Sequence, residues 1–226
     1  MSTIAANLQA IRRRISEALQ GDSRRITVVA VSKQRPVDAI REAFDAGCRD
    51  FGENYVQEAV DKMAALADLR DRIEWHLIGP LQSNKTRVVA ERFDWVHSVD
   101  RLKIAQRLSE QRPAGLPPLQ VCLQVNISGE ASKSGLAPAD VVAVAQGVAR
   151  LPGLGLRGLM AIPETALTFA EQCCPHRALR ELLAALRLQG LAVDTLSMGM
   201  TGDLEAAIAE GATIVRVGTA IFGGRG

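Results

Sequence analysis

Residues 26–33 read ITVVAVSK, and this stretch organises the interpretation of the whole chain. Valine and isoleucine dominate it without polar alternation, which predicts a β-strand buried on both faces, as in a parallel sheet. The stretch ends at Lys33. Burial disfavours an ammonium group and makes a lysine amine more nucleophilic, so Lys33 is a candidate for forming a Schiff base. From this stretch alone, a lysine whose side chain extends past the strand end into water is the alternative.

The pattern of a strand followed by a helix recurs along the chain. The predicted strands are 26–33, 49–54, 74–79, 95–99, 119–126, 154–162, 194–199 and 213–222. The predicted helices include 3–19, 36–46, 138–150, 174–188 and 203–210, with Asp100 as the N-cap of another. Eight such units favour an α/β fold with a single (β/α)8 TIM barrel spanning residues 1–226, and an open doubly wound sheet is the alternative. Residues 163–173 are expected to form a long loop or a short extra helix.

Composition excludes several classes of function. The chain has 226 residues, 47% of them hydrophobic, and a net charge of +2. A charge this close to zero argues against a nucleic-acid partner, and no apolar run is long enough to span a membrane. The four cysteines lack the spacing of metal ligands, and the adjacent pair Cys173 and Cys174 is expected to be free thiols without an assigned role. A reduced, cytoplasmic protein is therefore expected.

The barrel prediction sorts the polar residues by position, since active sites lie at the carboxyl ends of barrel strands. Closure makes the first and eighth strands neighbours, so Lys33 and Arg216 are expected to lie close together. Residues 197–203 (SMGMTGD) join the seventh strand to a helix, and Gly218 and Thr219 end the eighth strand. Glycines and hydroxyls in both loops predict a phosphate site, whereas ordinary turn chemistry is the alternative for either loop alone.

A Schiff-base lysine next to a phosphate site indicates pyridoxal 5′-phosphate. Its aldehyde would meet Lys33, and its phosphate would meet Thr201, Gly218 and Thr219. Arg216 would then lie near the ring. Since arginine does not readily give up a proton, it would leave the pyridine nitrogen unprotonated and weaken the ring as an electron sink.

Other polar residues keep two interpretations each. His76 and His97 belong to the third and fourth strands and are either rim groups or satisfied core histidines, and His176 is expected on a helix surface. The polar segments 82–85 and 132–135 carry Asn84, Lys85 and Lys133, and the chain has only five lysines against 22 arginines. Lys85 or Lys133 is expected to assist cofactor entry or release, and helix capping with loop ordering is the alternative.

Six motifs carry a resemblance to a known family. They are residues 28–33 (VVAVSK), 51–58 (FGENYVQE), 75–85 (WHLIGPLQSNK), 158–163 (GLMAIP), 197–200 (SMGM) and 215–223 (VRVGTAIFG). Together, in this order over nearly the whole chain, they resemble the pyridoxal phosphate homeostasis protein family, the bacterial YggS and eukaryotic PROSC proteins. The resemblance implies a fold-type III barrel similar to the N-terminal domain of alanine racemase, without the C-terminal β-domain.

The resemblance also assigns residues. It implies that Lys33 carries the cofactor as a Schiff base, that Arg216 faces the pyridine nitrogen and that Asn54 lies near the ring. It implies that Thr201, Gly218 and Thr219 hold the phosphate, and that Met198 and Gly199 are also among the cofactor-binding residues. The family usually has serine at the position of Thr201, and threonine keeps the hydroxyl.

The resemblance further implies a protein that binds, buffers and delivers the cofactor, possessing no established catalytic activity, with apo-enzymes as recipients. A weak amino-acid racemase is the alternative. A racemase needs acid–base groups on both faces of the cofactor. Lys33 can serve one face, and the chain's only tyrosine, Tyr55, follows the second strand. Because the racemase second domain is missing, a monomer is expected.

Overall fold

A computed structural model describes residues 3–130, 134–164 and 166–224. Within these residues, eight parallel strands close into a barrel in sequence order, and β1 pairs with both β2 and β8. The strands are β1 Thr27–Val31, β2 Asp50–Glu53, β3 Glu74–Leu77, β4 Trp95–Val99, β5 Leu119–Gln124, β6 Leu154–Met160, β7 Thr195–Ser197 and β8 Ile214–Val217. The predicted closed barrel is therefore confirmed, and the open sheet is wrong.

Helices surround the strands in the expected alternation. They are α1 Ile4–Leu19, α2 Val37–Asp45, α3 Val56–Ala65, α4 Thr86–Arg92, α5 Leu102–Gln111, α6 Val141–Val148, α7 Phe169–Leu188, α8 Leu204–Ala209 and α9 Thr219–Phe222. Short 3-10 segments cover Ala67–Arg72, Ser83–Lys85 and Pro138–Asp140. None of the helices in the described ranges is both long and apolar enough to cross a lipid bilayer.

Two faces of the sheet have different environments because side chains alternate along each strand. One set packs under the helices in the main apolar core, where the Phe51 and Trp75 rings lie 6.1 Å apart. The other set faces the barrel interior and includes three almost fully buried polar residues, His76, His97 and Arg216. The interior is thus polar along the path between the two mouths of the barrel.

Three predicted boundaries are wrong. Helix α7 begins at Phe169 instead of residue 174, because Thr168 and Glu171 form a reciprocal capping box, so residues 169–173 of the predicted 163–173 loop are the start of this helix. The eighth strand stops at Val217, and the following residues form the short helix α9. Asp100 does not cap α5, since Arg101 occupies the N-cap position without a side-chain cap bond.

Candidate cofactor-binding site

Lys33 lies two residues beyond the end of β1, at the carboxyl mouth of the barrel. The pairing of β1 with β2 continues to Ser32, whose N–H donates to the Gly52 carbonyl at 3.0 Å. A turn follows, closed by the Arg35 N–H, which donates to the Ser32 carbonyl at 3.0 Å. Lys33 is half-buried, and in the described part of the chain its amine has neither a hydrogen-bond nor an ion-pair partner. The amine is therefore available to a ligand.

A buried ion cluster holds the residues on either side of Lys33. The ammonium of Lys62 donates to Glu53 Oε1 at 2.7 Å, to Glu58 Oε1 at 2.6 Å and to the Ser32 carbonyl at 2.7 Å. We call Glu53, Glu58 and Lys62 the Lys62 cluster. Burial raises the pKa of Glu53, and the hydrogen bonds from Lys62 and Ser32 oppose that rise.

Sequence reasoning missed this cluster. Glu58 and Lys62 are spaced i, i+4 on α3, which predicts an ordinary exposed helix pair. The side chain of Lys62 is only 7% exposed, however, and that of Glu53 is fully buried. Since buried charges are rare unless they are paired, the cluster indicates a specific structural task.

Arg216 lies inside the barrel on β8 and is 4% exposed. Its Nη1 donates to the carbonyl and to the hydroxyl of Ser197, both at 2.7 Å, and its Nη2 donates to the Ala161 carbonyl at 2.9 Å. Burial lowers the pKa of Arg216 to about 10, so the guanidinium is charged at neutral pH. Three of its five N–H groups are used within the described residues, which leaves two for a ligand.

A chain of hydrogen bonds runs from Arg216 through the barrel to the opposite mouth. Ser197 Oγ lies 2.7 Å from His97 Nδ1, His97 Nε2 lies 2.9 Å from His76 Nδ1, and His76 Nε2 lies 3.2 Å from Asp50 Oδ1. The Asp50 carboxylate at the far end can only accept, which sets the direction of the chain, so the Ser197 hydroxyl accepts from Arg216 and donates to His97 Nδ1. His97 Nε2–H then donates to His76, and His76 Nε2–H donates to the carboxylate of Asp50. The geometry thereby assigns one tautomer to each histidine.

The two strand histidines are core residues, and a rim position for His76 is wrong. His76 is 1% exposed and His97 is fully buried. Burial, together with the nearby His76 and Arg216, lowers the pKa of His97 well below its ordinary value. His97 is therefore neutral in the folded protein, as the chain of hydrogen bonds requires.

The loop after β7 is a tight turn that Gly199 and the carboxylate of Asp203 shape. Gly199 has φ +90°, and a Cβ there would lie 2.5 Å from the Ala207 Cβ, so only glycine fits. Asp203 Oδ1 accepts the Met200 N–H at 2.7 Å, and its Oδ2 lies 2.9 Å from His176 Nε2. Burial raises the pKa of Asp203, but the hydrogen bonds from His176 and Met200 outweigh it and hold the pKa below its usual range. His176 is 1% exposed, so its predicted position on a helix surface is wrong.

The two predicted phosphate loops lie side by side. The Arg216 N–H donates to the Gly199 carbonyl at 3.0 Å, which joins the loop after β7 to β8 just before Gly218 and Thr219. The backbone N–H groups of Thr201 and Gly202 have no acceptor among the described residues. Thr201 is half-buried and Thr219 is exposed, so both hydroxyls are accessible.

Two residues near these loops differ from expectation. Met198 is fully buried in the apolar core, and its N–H donates to the Ile214 carbonyl at 3.1 Å, so its predicted contact with the cofactor is wrong. Arg14, which no sequence motif assigned to the site, donates to the Thr201 carbonyl at 3.0 Å and pairs with Glu205 at 2.7 Å. Helix α1 thus supports the phosphate loop, a contact between residues too distant in sequence to be predicted.

Asn54 lies on the other side of the same mouth. It is half-buried and lines a cavity of about 220 Å³ together with Ile78, Gly79, Gln124 and Ile162. A Cβ at Gly79 would lie 2.3 Å from the Asn54 carbonyl oxygen, so the absence of a side chain at Gly79 lets the two loops meet. This cavity lies at the carboxyl ends of β2, β3, β5 and β6.

The polar segment after β3 also reaches the carboxyl mouth. Asn84 is exposed and Lys85 is half-buried, and neither side chain has a hydrogen-bond partner among the residues that the structure describes. The segment caps no helix through its side chains. Lys133 lies outside the described residues.

Two further features have no assigned task in this site. Cys173 is buried in α7, whereas Cys174 is exposed and donates to the Ala170 carbonyl at 3.3 Å. A larger cleft of about 580 Å³ lies at the amino ends of the strands, and its Arg70 and Asp94 pair with each other at 2.8 Å. It is remote from Lys33 and offers charges of both signs, so we do not assign it a role in the site.

Comparisons with known proteins agree with this geometry. The alanine racemase N-terminal domain family matches residues 1–226. A pyridoxal phosphate homeostasis protein of Pseudomonas aeruginosa is 63% identical over 228 residues, covering 100% of this chain and 97% of the relative.

Among solved structures, PipY of Synechococcus elongatus with pyridoxal phosphate bound is 41% identical, with a TM-score of 0.86 over 97% of this chain and 100% of that one. Alanine racemase of Corynebacterium glutamicum, at 18% identity and a TM-score of 0.70, covers 96% of this chain and 59% of its own, and shows the shared fold alone. The chain belongs to the pyridoxal phosphate homeostasis protein family, built on the alanine racemase N-terminal domain.

Proposed function

We propose that this protein binds pyridoxal 5′-phosphate at the carboxyl mouth of its barrel and buffers or delivers it. The observation that carries the proposal is the unpaired amine of Lys33, on the strand next to β8 with its buried Arg216. The bound cofactor in the solved relative from Synechococcus elongatus supports it. The groups present also fit the cofactor: an amine for its aldehyde, a buried cation for its ring, and hydroxyls with free N–H groups for its phosphate.

Each residue then has a defined task. The cofactor would supply an aldehyde, and Lys33 would hold it through its amine, with one water released as one C=N bond forms. Thr201, Gly218 and Thr219 would hold the phosphate, with Gly199 shaping the loop. Arg216 would hold the pyridine nitrogen through an N–H group that the described residues leave unused. Asn54 would lie beside the ring.

A carrier fits these residues better than an enzyme. Arg216 is charged and keeps the ring nitrogen unprotonated, which weakens the electron sink that racemisation needs. A second acid–base group must also face Lys33 across the cofactor. Tyr55 is the candidate, yet it is 58% exposed and its hydroxyl makes no hydrogen bond within the described part of the chain. A weak racemase is therefore the second candidate.

The relatives' names support a role in pyridoxal phosphate homeostasis, and this role requires partners that receive the cofactor. We propose that apo-enzymes receive the cofactor, that the protein acts as a monomer, and that it works in the cytoplasm, where its four free thiols stay reduced. Lys85, unpaired on the rim, and Lys133 are proposed to assist cofactor exchange.

The deciding experiment is covalent trapping of the cofactor. The protein is loaded, reduced with borohydride and digested, and a pyridoxyl mass is expected on the Lys33 peptide alone. Lys33→Ala should lose the label and the visible absorbance, whereas Lys103→Ala, on the exposed face of α5, should keep both. Absence of label in the wild type contradicts cofactor binding, and Lys33-dependent amino-acid racemisation at a robust rate contradicts the carrier role.

Exchange is tested separately. Transfer from the loaded protein to an apo-enzyme is followed by the recovery of that enzyme's activity. Lys85→Ala and Lys133→Ala are expected to slow transfer, with Lys103→Ala as the control. Unchanged rates in both variants count against a role for these lysines.

A further inference from the structure

We infer that the Lys62 cluster positions Lys33 for its condensation with the cofactor aldehyde. The inference rests on the proposed function, in which Lys33 binds the cofactor. It assigns a task to residues that act on Lys33 and form no covalent bond with the cofactor themselves. Glu53, Glu58 and Lys62 are thus positioning residues and not catalytic ones.

The turn that presents Lys33 is conformationally demanding. Its third residue, Gln34, has φ +58°, in the left-handed region that residues with a side chain seldom adopt. No glycine relieves the strain, so the turn must be stabilised by contacts from outside. The Glu58 carboxylate provides one, since its Oε1 accepts the N–H of Gln34.

The cluster fixes the chain on both sides of Lys33. On one side, the Ser32 hydroxyl donates to Glu53 Oε1 at 2.6 Å, and the Ser32 carbonyl accepts from Lys62 at 2.7 Å. On the other side, Glu58 accepts from Gln34. Lys62 bonds both carboxylates, so one ammonium links the two flanks.

The Lys62 ammonium has no N–H group left to donate. All three protons of the Lys62 ammonium are donated, which keeps this lysine from competing with Lys33 for the aldehyde. Lys33, by contrast, has no partner among the described residues. The arrangement holds the backbone around Lys33 and leaves its amine free.

Positioning matters because condensation requires the amine to approach the aldehyde carbon along a narrow range of directions. Displacement of a reacting group by about 1 Å can reduce its reactivity on the order of a hundredfold. Binding of the phosphate and ring does not depend on the amine in this way. The cluster should thus affect the covalent part of binding and leave the non-covalent part unchanged.

Two ligands separate covalent from non-covalent binding. The affinity for pyridoxal 5′-phosphate depends on both. Deoxypyridoxine 5′-phosphate has a methyl group in place of the aldehyde, so its affinity measures non-covalent binding alone. The principal variant is Glu58→Ala, which frees the Gln34 N–H; the Glu58 side chain is 25% exposed, so the variant is expected to fold. Asp61→Ala is the matched control, since Asp61 lies on the same helix and is exposed, and among the described residues its side chain accepts from Gln57 alone, at 3.0 Å.

Glu58→Ala is expected to weaken pyridoxal 5′-phosphate binding about tenfold or more and to slow borohydride-trappable labelling of Lys33, with the affinity for the deoxy analogue unchanged. Glu58→Gln keeps the acceptor oxygen and should retain most of the wild-type affinity. Asp61→Ala should match the wild type for both ligands.

An equal loss of affinity for both ligands would overturn the inference, since the cluster would then act on the fold. Unchanged affinity for both ligands would overturn it too, since the cluster would then have no effect on binding. A loss in Glu58→Gln as large as in Glu58→Ala would overturn it as well, because charge and not position would be at issue. A wild type that binds the analogue but yields no label on Lys33 would instead overturn the proposed function.

Discussion

Removing the ammonium of Lys62 should destabilise the fold in a way that depends on pH. Lys62→Met keeps the length and apolar stem of the side chain but deletes three hydrogen bonds and the only cation that pairs with Glu53 among the described residues. The Glu53 side chain is fully buried, and its Oε2 already lacks a hydrogen-bond partner within the described ranges. An unpaired carboxylate there typically costs about 3–5 kcal/mol.

Protonation of Glu53 sets an upper limit on the free energy of unfolding that the variant loses. The folded variant can escape the unpaired charge by protonating Glu53, whose pKa in the unfolded chain is about 4.3. Protonation then costs about 3.7 kcal/mol at about pH 7 and about 1 kcal/mol at about pH 5, at 1.36 kcal/mol per unit. In the variant the folded pKa is raised above the unfolded one. The stabilisation that protonated Glu53 gives the folded variant is thus fully present below the unfolded pKa and is lost as the pH rises through the folded pKa.

Urea unfolding followed by circular dichroism measures this effect. Relative to the wild type, Lys62→Met should lose about 3–4 kcal/mol near pH 7 and about 1–2 kcal/mol near pH 5. The double variant Glu53→Gln with Lys62→Met carries no buried charge and should lose less, with little dependence on pH. A loss below about 1 kcal/mol near pH 7, or the same loss at both pH values, would refute the reasoning.

Three further predictions concern other parts of the molecule. Because the folded pKa of His97 is lowered, wild-type stability should fall by up to about 1.4 kcal/mol per unit as the pH drops below about 6.5; His97→Asn should flatten this dependence in urea unfolding from about pH 7.5 to about pH 5, and an unchanged slope contradicts it. An aromatic disulfide reagent should modify Cys174 rapidly in the native protein, since burial raises the pKa of Cys48 to about 11 and of Cys122 to about 12; a fast phase that survives in Cys174→Ser argues against this. Thr201→Val should weaken cofactor binding by about 1–2 kcal/mol in an absorbance titration, whereas Thr201→Ser should not; equal affinities in all three proteins remove Thr201 from the phosphate site.

Pattern reasoning succeeded where the information is local. The buried stretch at 26–33 and seven similar stretches between helical patterns predict the closed barrel that the structure has. Barrel geometry then predicts that Lys33 and Arg216 share one neighbourhood, and β1 does pair with β8. The apolar pattern of each strand and the order of the strands are encoded by residues close together in the sequence, so these predictions needed no coordinates.

Pattern reasoning failed where side-chain direction or distant partners decide the outcome. Met198 lies in the loop that the sequence predicts to bind phosphate, yet its side chain packs in the apolar core. His176 reads as a surface residue of α7 until its partner Asp203, 27 positions away, is brought against it. The start of α7 was misplaced because the capping box at Thr168 lies before the predicted helix.

The sequence by itself determined the barrel, the mouth at which its chemistry lies and the lysine that the site is organised around. Only the tertiary structure decided how that lysine is held. Glu53 from β2 and Lys62 from α3 pair beside the turn of Lys33. Arg216 donates to Ser197, and Ser197 contacts His97, which is 100 positions before it in the sequence. Hydrophobic periodicity is a property of neighbouring residues, whereas the pairing of buried polar groups depends on which side chains the closed barrel brings together.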